Sequence, residues 1–265
     1  MERNVSSRIV LTVSEPADLV LAVAVSDAHT IASETLTALR DGEPVEIEEL
    51  PDAHGGRLHR LWCERGELVV EYAATVTGTA PVPPTTDTDL IVYTRPSRYA
   101  ESDELAPTAV AELGGLDDPA EILAAVSSWV GTQLAYESGS SLPTDGAVRT
   151  LLARRGVCRD FAHLCVAMLR ARDIPARLVA VYAPGLAPMD FHAVAEAWID
   201  GTWRAVDATA LAPRSTLVRI ATGRDAADTA FLTVLSGRAD LVSAEVTATA
   251  DTLPDDDVTR LVSIG

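Results

Sequence analysis

Cys158, His192 and Asp207 are the residues whose types and order suit nucleophilic chemistry at a carbonyl carbon. The run Gly156-Val157-Cys158-Arg159-Asp160-Phe161-Ala162-His163-Leu164 puts a cysteine where a helix begins. Free amide hydrogens and the helix dipole there favour the thiolate, the nucleophilic form. A thiolate works with a base or imidazolium partner that a third group holds in orientation. His192 and Asp207 flank a strand-turn-strand whose turn is Asp200-Gly201, a strong two-residue hairpin signal. Taken literally, that turn pairs Ile199 with Thr202, sets residue 194 opposite 207, and puts His192 and Asp207 on one face, a diagonal step apart. Diagonal neighbours have alpha carbons about 7 Å apart, within reach of an imidazole-carboxylate hydrogen bond. On the helix, Cys158, Ala162, Cys165 and Leu169 share one stripe, so the stripe sinks into the core and leaves Cys158 at its edge. Cys165, two turns deeper, is expected to be inert packing.

The elements that must position these groups fall into two sets. From Arg8 to about Thr94 the sequence is rich in Val, Leu, Ile and Thr, and runs such as Arg8 to Val13, Glu67 to Tyr72 and Leu90 to Tyr93 read as strands. Turn chemistry separates them at Asp41-Gly42, Pro51-Asp52, Gly55-Gly56 and Arg65-Gly66. Residues 1–99 are expected to form an antiparallel β-sandwich. After the proline-marked stretch Ala80-Pro81-Val82-Pro83-Pro84 and the run Tyr93 to Tyr99, the pattern turns helical, so residues 100–265 are assigned to a second, catalytic domain. Asp117-Asp118-Pro119 starts a helix on which Ile122, Leu123, Val126, Trp129, Val130 and Leu134 recur at helical spacing. A second helix is expected from Thr144 to Arg155 with Gly156 just beyond it, and a third from Cys158 to about Arg172. Strands follow at Ala176 to Tyr182, Phe191 to Ile199 and Trp203 to Asp207. Helices followed by strands give an α+β class, helices packed on an antiparallel sheet.

Composition narrows the function classes. The 265 residues carry 21 Lys+Arg against 39 Asp+Glu, a net charge of −18, and 48% are hydrophobic. Such a field repels phosphate backbones and anionic membrane surfaces, and no basic patch offsets it, so neither nucleic acid nor membrane is expected as a partner. The early apolar run Leu19 to Val25 is too short for a signal core or a span. Three cysteines, Cys63, Cys158 and Cys165, without paired spacing suit a reducing compartment, and a cytoplasmic location is expected.

Other polar residues read more plainly. Asp160 lies in the first turn of its helix, where an acid favours the dipole, and His163, about 140° around the helix from Cys158, reads as a packing or surface group. His54, His59 and Cys63 fit no standard zinc spacing, so no metal or cofactor is expected. Trp198 and Trp203 face each other across the hairpin as a stiffening pair, while Trp62 and Trp129 read as core.

The sequence resembles the bacterial transglutaminase-like family. The resemblance rests on the segment around Cys158, on Ile174-Pro175-Ala176-Arg177, on Phe191-His192-Ala193 leading to Ala197-Trp198, and on Trp203 with Asp207-Ala208-Thr209. It spans roughly residues 95 to 235, with Gly223 to Asp228 included. It implies a papain-like transglutaminase core with Cys158 as nucleophile, His192 as base and acid, and Asp207 as the orienting carboxylate. The implied reaction is acyl transfer from a peptide or protein amide through a thioester. The Cys158 backbone amide and a side chain before the helix, Tyr136 or Gln133, are the candidate oxyanion donors. Ala193-Val194-Ala195 departs from crosslinking members, which run directly from His-Ala to Trp, and no EF-hand calcium loop is present. Hydrolysis by a cysteine protease or amidase is therefore expected over crosslinking. The alternative is a peptide-binding or assembly module on the same fold.

Overall fold

The computed structural model describes residues 1–82 and 84–265, and Pro83 of the proline-marked stretch lies outside them. The N-terminal part contains β1 (Glu2–Leu21), β2 (Thr30–Arg40), β3 (Glu43–Pro44), β4 (Glu48–Pro51), β5 (Arg57–Cys63) and β6 (Gly66–Thr77). Three helices follow, α1 (Asp87–Thr94), α2 (Ser102–Leu113) and α3 (Pro119–Gln133). Next come β7 (Ala135–Tyr136), α4 (Ala147–Ala153), β8 (Arg155–Gly156) and the central helix α5 (Cys158–Arg170). The chain ends with β9 (Ala176–Tyr182), β10 (His192–Ile199), β11 (Thr202–Val206), β12 (Val218–Gly223) and β13 (Leu232–Ala250). No helix among the described residues is long and apolar enough to cross a membrane.

The N-terminal strands make one curled antiparallel sheet in the order β3-β2-β6-β1-β5-β4. Its two leaves share β1, which pairs with β6 through residues 2–13 and then with β5 through residues 17–21. Apolar side chains from both leaves, among them Ile9, Leu11, Leu19, Leu61, Leu68 and Val70, enclose a single core. The seventh strand comes from the far end of the chain, because β13 pairs along β1 from Arg3↔Ala250 to Leu21↔Leu232. The sequence division at residue 99 thus assigns to the second part a segment that is hydrogen-bonded into the N-terminal sheet. Tyr182, Val218 and Ile220 of β9 and β12 join the same core, so apolar contacts run across both parts.

The second sheet is antiparallel, in the order β11-β10-β9-β12. Its hairpin has the expected register, with Ile199↔Thr202 and Trp198↔Trp203. Asp200 (φ 52°) and Gly201 (φ 74°) both take the left-handed conformation that a tight two-residue hairpin turn needs. The indoles of Trp198 and Trp203 meet edge-on at 5.3 Å. On one side of this sheet α5 is buried among α2, α3, α4, β9 and β10. Every residue of α5 from Asp160 to Arg170 is buried, so the helix is enclosed all round and not along one stripe only.

Three expectations change. Leu90 to Tyr93 lie in α1, not in a strand, because Thr86 and Asp89 form a reciprocal capping box that starts a helix there. Trp62 is 55% exposed on β5 and is no part of the core. The helix expected to end at Arg155 stops at Ala153, where Arg154 adopts a left-handed cap (φ 56°).

Candidate functional site

The site forms where the N-terminus of α5 meets the start of β10 and the end of β11. Asp160 fixes that helix end. Its buried carboxylate accepts the Val157 N–H at 2.8 Å and the Ser141 hydroxyl, and Arg159 lies 3.0 Å away. Gly156 permits this approach: a Cβ there would fall 2.6 Å from the Asp160 Cβ. Arg159 also donates to the Ser141 hydroxyl and the Leu142 carbonyl, which ties the loop after β7 to the helix start. The sequence suggested only a dipole contact for Asp160. Its role is that of a buried cap, and the signal was the position three residues after Val157.

Cys158 is the first residue of α5 and remains half-buried, with its thiol pointing at the Phe191 carbonyl oxygen 3.9 Å away. His192, the next residue and the first of β10, is 2% exposed. Its Nε2 donates to Asp207 Oδ2 at 2.8 Å, and its Nδ1 is buried with no hydrogen-bond partner among the described residues. Burial pulls the imidazole down, but the charge and hydrogen bond of Asp207, with a further contribution from Cys158, raise it to about 10. Asp207 is held in turn by Thr209, whose N–H and hydroxyl reach Oδ1 at 3.0 and 2.6 Å. Burial opposes its charge, yet His192 and Thr209 together keep the carboxyl below its ordinary range. The three residues singled out by type and spacing therefore come together, and an imidazolium beside a thiol is the arrangement needed to activate sulfur and protonate a leaving group.

The two oxyanion candidates part company. β7 pairs in parallel with β8, Tyr136↔Gly156, and this brings Tyr136 alongside the start of α5. Its ring leans on Phe161 at 6.0 Å, and its hydroxyl lies within reach of the Cys158 backbone amide. Burial, then the nearby Cys158 charge, push the phenol up to about 12, so it stays a neutral O–H donor. Gln133 is not brought to Cys158: its side-chain oxygen accepts from Arg154 at the surface. Both lie just before the helix in sequence, and only the short parallel pairing distinguishes them.

The remaining polar residues are engaged elsewhere. Burial pushes the Cys165 thiol up, as expected of inert packing. Burial keeps His163 neutral; its Nε2 accepts the Ala226 N–H at 3.1 Å, and its ring stacks on Tyr99. His54 bonds to the Tyr93 hydroxyl, His59 to Glu49, and the Cys63 thiol to the Glu64 carbonyl, so these three serve separate contacts.

Comparison with known proteins places the core. The transglutaminase-like superfamily profile matches residues 107–208, which include all three of Cys158, His192 and Asp207. A crystal structure from Cytophaga hutchinsonii, of a protein described as a candidate cysteine protease, superposes with a TM-score of 0.88. It shares 35% identity and covers 97% of this chain and 94% of its own. An uncharacterised protein of Mycobacterium tuberculosis is 44% identical over 62 residues, 23% of this chain and 20% of its own length. One from Mycobacterium leprae is 30% identical over 133 residues, 46% of this chain and 47% of its own. The matched stretches thus span a fifth to a half of these mycobacterial relatives. With a relative aligned along nearly its entire length and the family profile lying across α2 to β11, the chain belongs to the bacterial transglutaminase-like family.

Proposed function

We propose that this protein is a cysteine hydrolase of peptide or protein amide bonds, using Cys158 as nucleophile, His192 as acid and base, and Asp207 as the orienting carboxylate. One observation carries the reading: a buried His192–Asp207 pair at 2.8 Å leaves the second ring nitrogen free beside a half-exposed cysteine at a helix start. The likeness to the Cytophaga protein over 97% of the chain supports a peptide substrate.

The Cys158 thiolate attacks the amide carbon, and the carbonyl electron pair moves onto oxygen. In this reading the Cys158 backbone N–H and the Tyr136 hydroxyl, which lie within reach of each other, donate to that oxyanion. Nε2–H stays on Asp207, so the proton for the leaving amine comes from Nδ1 as the C–N bond breaks and the thioester forms. Water then attacks the thioester while Nδ1 takes its proton. Collapse releases the carboxylic acid and regenerates the thiolate beside the imidazolium.

The reading is tested on peptide amides in water enriched in oxygen-18, with and without an added primary amine. Label is expected in the released carboxylate, and Cys158→Ala should lose the turnover by at least about a thousandfold, as removal of a catalytic nucleophile does. The chain contains no lysine, so its own side chains supply no acceptor amine. Amine incorporation without oxygen-18 label would overturn hydrolysis, and turnover by Cys158→Ala would overturn the assignment of the nucleophile.

A further inference from the structure

The segment leading into β10 carries an acid that the reaction does not use. Asp190 is exposed, and its Oδ1 accepts the N–H of Phe191 at 2.7 Å. Phe191 is the residue whose carbonyl oxygen lies 3.9 Å from the Cys158 sulfur. The carboxylate is therefore hydrogen-bonded to the N–H of the residue whose carbonyl faces Cys158. Its charge is also felt at the Tyr136 hydroxyl on the opposite side of Cys158.

The neighbouring charges do not cancel it. Arg159 is committed to Asp160, and Arg155 lies 3.5 Å from Glu137, the residue after Tyr136. Among the described residues no cation lies within ion-pair distance of Asp190. An unneutralised, exposed carboxylate thus lies one residue before the carbonyl that faces Cys158, while His192 Nδ1 is buried without a hydrogen-bond partner among the described residues.

We infer that Asp190 makes the site at Cys158 selective for a peptide substrate carrying a positively charged side chain next to the scissile amide. The inference rests on the proposed role of Cys158 as the reacting group. An acyl-enzyme forming at Cys158 would hold a neighbouring lysine or arginine side chain against the Asp190 carboxylate, and a glutamate at the same place would be repelled. Such a charge acts over a few ångströms of partly screened water, where one unit charge is worth a few-fold in rate.

A thiol probe reads this charge without requiring turnover. Cys63 and Cys165 are each 1% exposed, so small methanethiosulfonates report on Cys158. The thiolate attacks the sulfenyl sulfur, a disulfide forms and methanesulfinate leaves. The ratio of the rates for the trimethylammonium-ethyl and sulfonato-ethyl reagents is measured for wild type, Asp190→Asn, and Glu245→Gln on β13, which makes the same change in net charge far along the sequence. The ratio is expected to fall about fourfold in Asp190→Asn and to stay near wild type in Glu245→Gln, with the neutral methyl reagent reacting equally in all three. Equal ratios in wild type and Asp190→Asn would overturn the inference, as would an equal fall in both variants.

The second arm compares peptide amides with Lys, Arg, Gln or Glu beside the scissile bond. Wild type should prefer the basic peptides by kcat/KM, and Asp190→Lys should reverse the order. Turnover of acidic and basic peptides at equal rates overturns the selectivity. Absence of turnover on every peptide overturns the hydrolase reading and leaves the labelling ratios to decide the role of Asp190.

Discussion

Asp207→Asn is expected to lower kcat/KM on a peptide amide by about three to four orders of magnitude while leaving the fold intact. The carboxamide matches the carboxylate in size, and the donors of Thr209 can still be met through its oxygen. The other end of the group, however, now offers an N–H to His192 Nε2. The imidazole must then carry its proton on Nδ1, the nitrogen that the mechanism requires free to accept one. The charge that holds the His192 proton up to about 10 is lost as well. In the wild type the imidazolium persists until the pH rises through about 10, so the alkaline limb of the rate profile should lie there and move to lower pH in the variant. A pH profile of kcat/KM with circular dichroism on both proteins checks this. Unchanged turnover would remove Asp207 from the mechanism.

Glu196→Ala is expected to destabilise the fold by about 3–5 kcal/mol, the range for removing one partner from a buried ion pair. Glu196 sits on β10 four residues beyond His192, fully buried between Arg177 of β9 and Arg219 of β12. Its Oε1 accepts from Arg219 at 2.6 Å and its Oε2 from Arg177 at 2.8 Å, so one carboxylate ties three strands of the sheet together. The Arg177 guanidinium also lies 3.9 Å over the Trp203 ring. Alanine leaves two buried cations with no counter-charge. Burial opposes ionisation of Glu196, but the charges of Arg219 and Arg177 overcome it and lower the carboxyl to about 2. Because the folded value lies below the unfolded one of 4.5, this stabilisation is complete above about pH 4.5 and is lost as pH falls through about 2. Urea denaturation of wild type and variant at pH 7 and pH 3 measures both effects. A variant within about 0.5 kcal/mol of wild type at pH 7 would show that the network is not structural.

The site was more legible in the sequence than the fold around it, for a physical reason. Asp200-Gly201 specifies a turn through local backbone preference, and the turn fixes the register of β10 and β11, so the His192–Asp207 pairing follows from nearby residues alone. The start of α5 is signalled in the same way by the residues before and after Cys158. The distance from Cys158 to His192 had no such local source, since it depends on how α5 packs against β9 and β10. β13 was invisible because its partner β1 lies more than two hundred residues away and most of its positions from Thr233 to Glu245 are exposed, which removes the alternation that marks a strand. Leu90 to Tyr93 show the opposite case: the run favours a strand by composition, while the Thr86 and Asp89 capping box just before it starts a helix. Gln133 and Tyr136 were equivalent by position, and a two-residue parallel pairing is too short to leave a pattern in sequence.

Activation of Cys158 by His192 is directly measurable. The most direct measurement is the rate of iodoacetamide labelling of Cys158 at pH 6, by intact mass, in wild type and His192→Ala. Cys63 and Cys165 are buried, so a single fast adduct reports the reactive thiol. Rapid labelling of the wild type is expected, with a fall of at least about tenfold in the variant, from loss of the imidazolium beside the sulfur. Slow labelling that is the same in both proteins would contradict it.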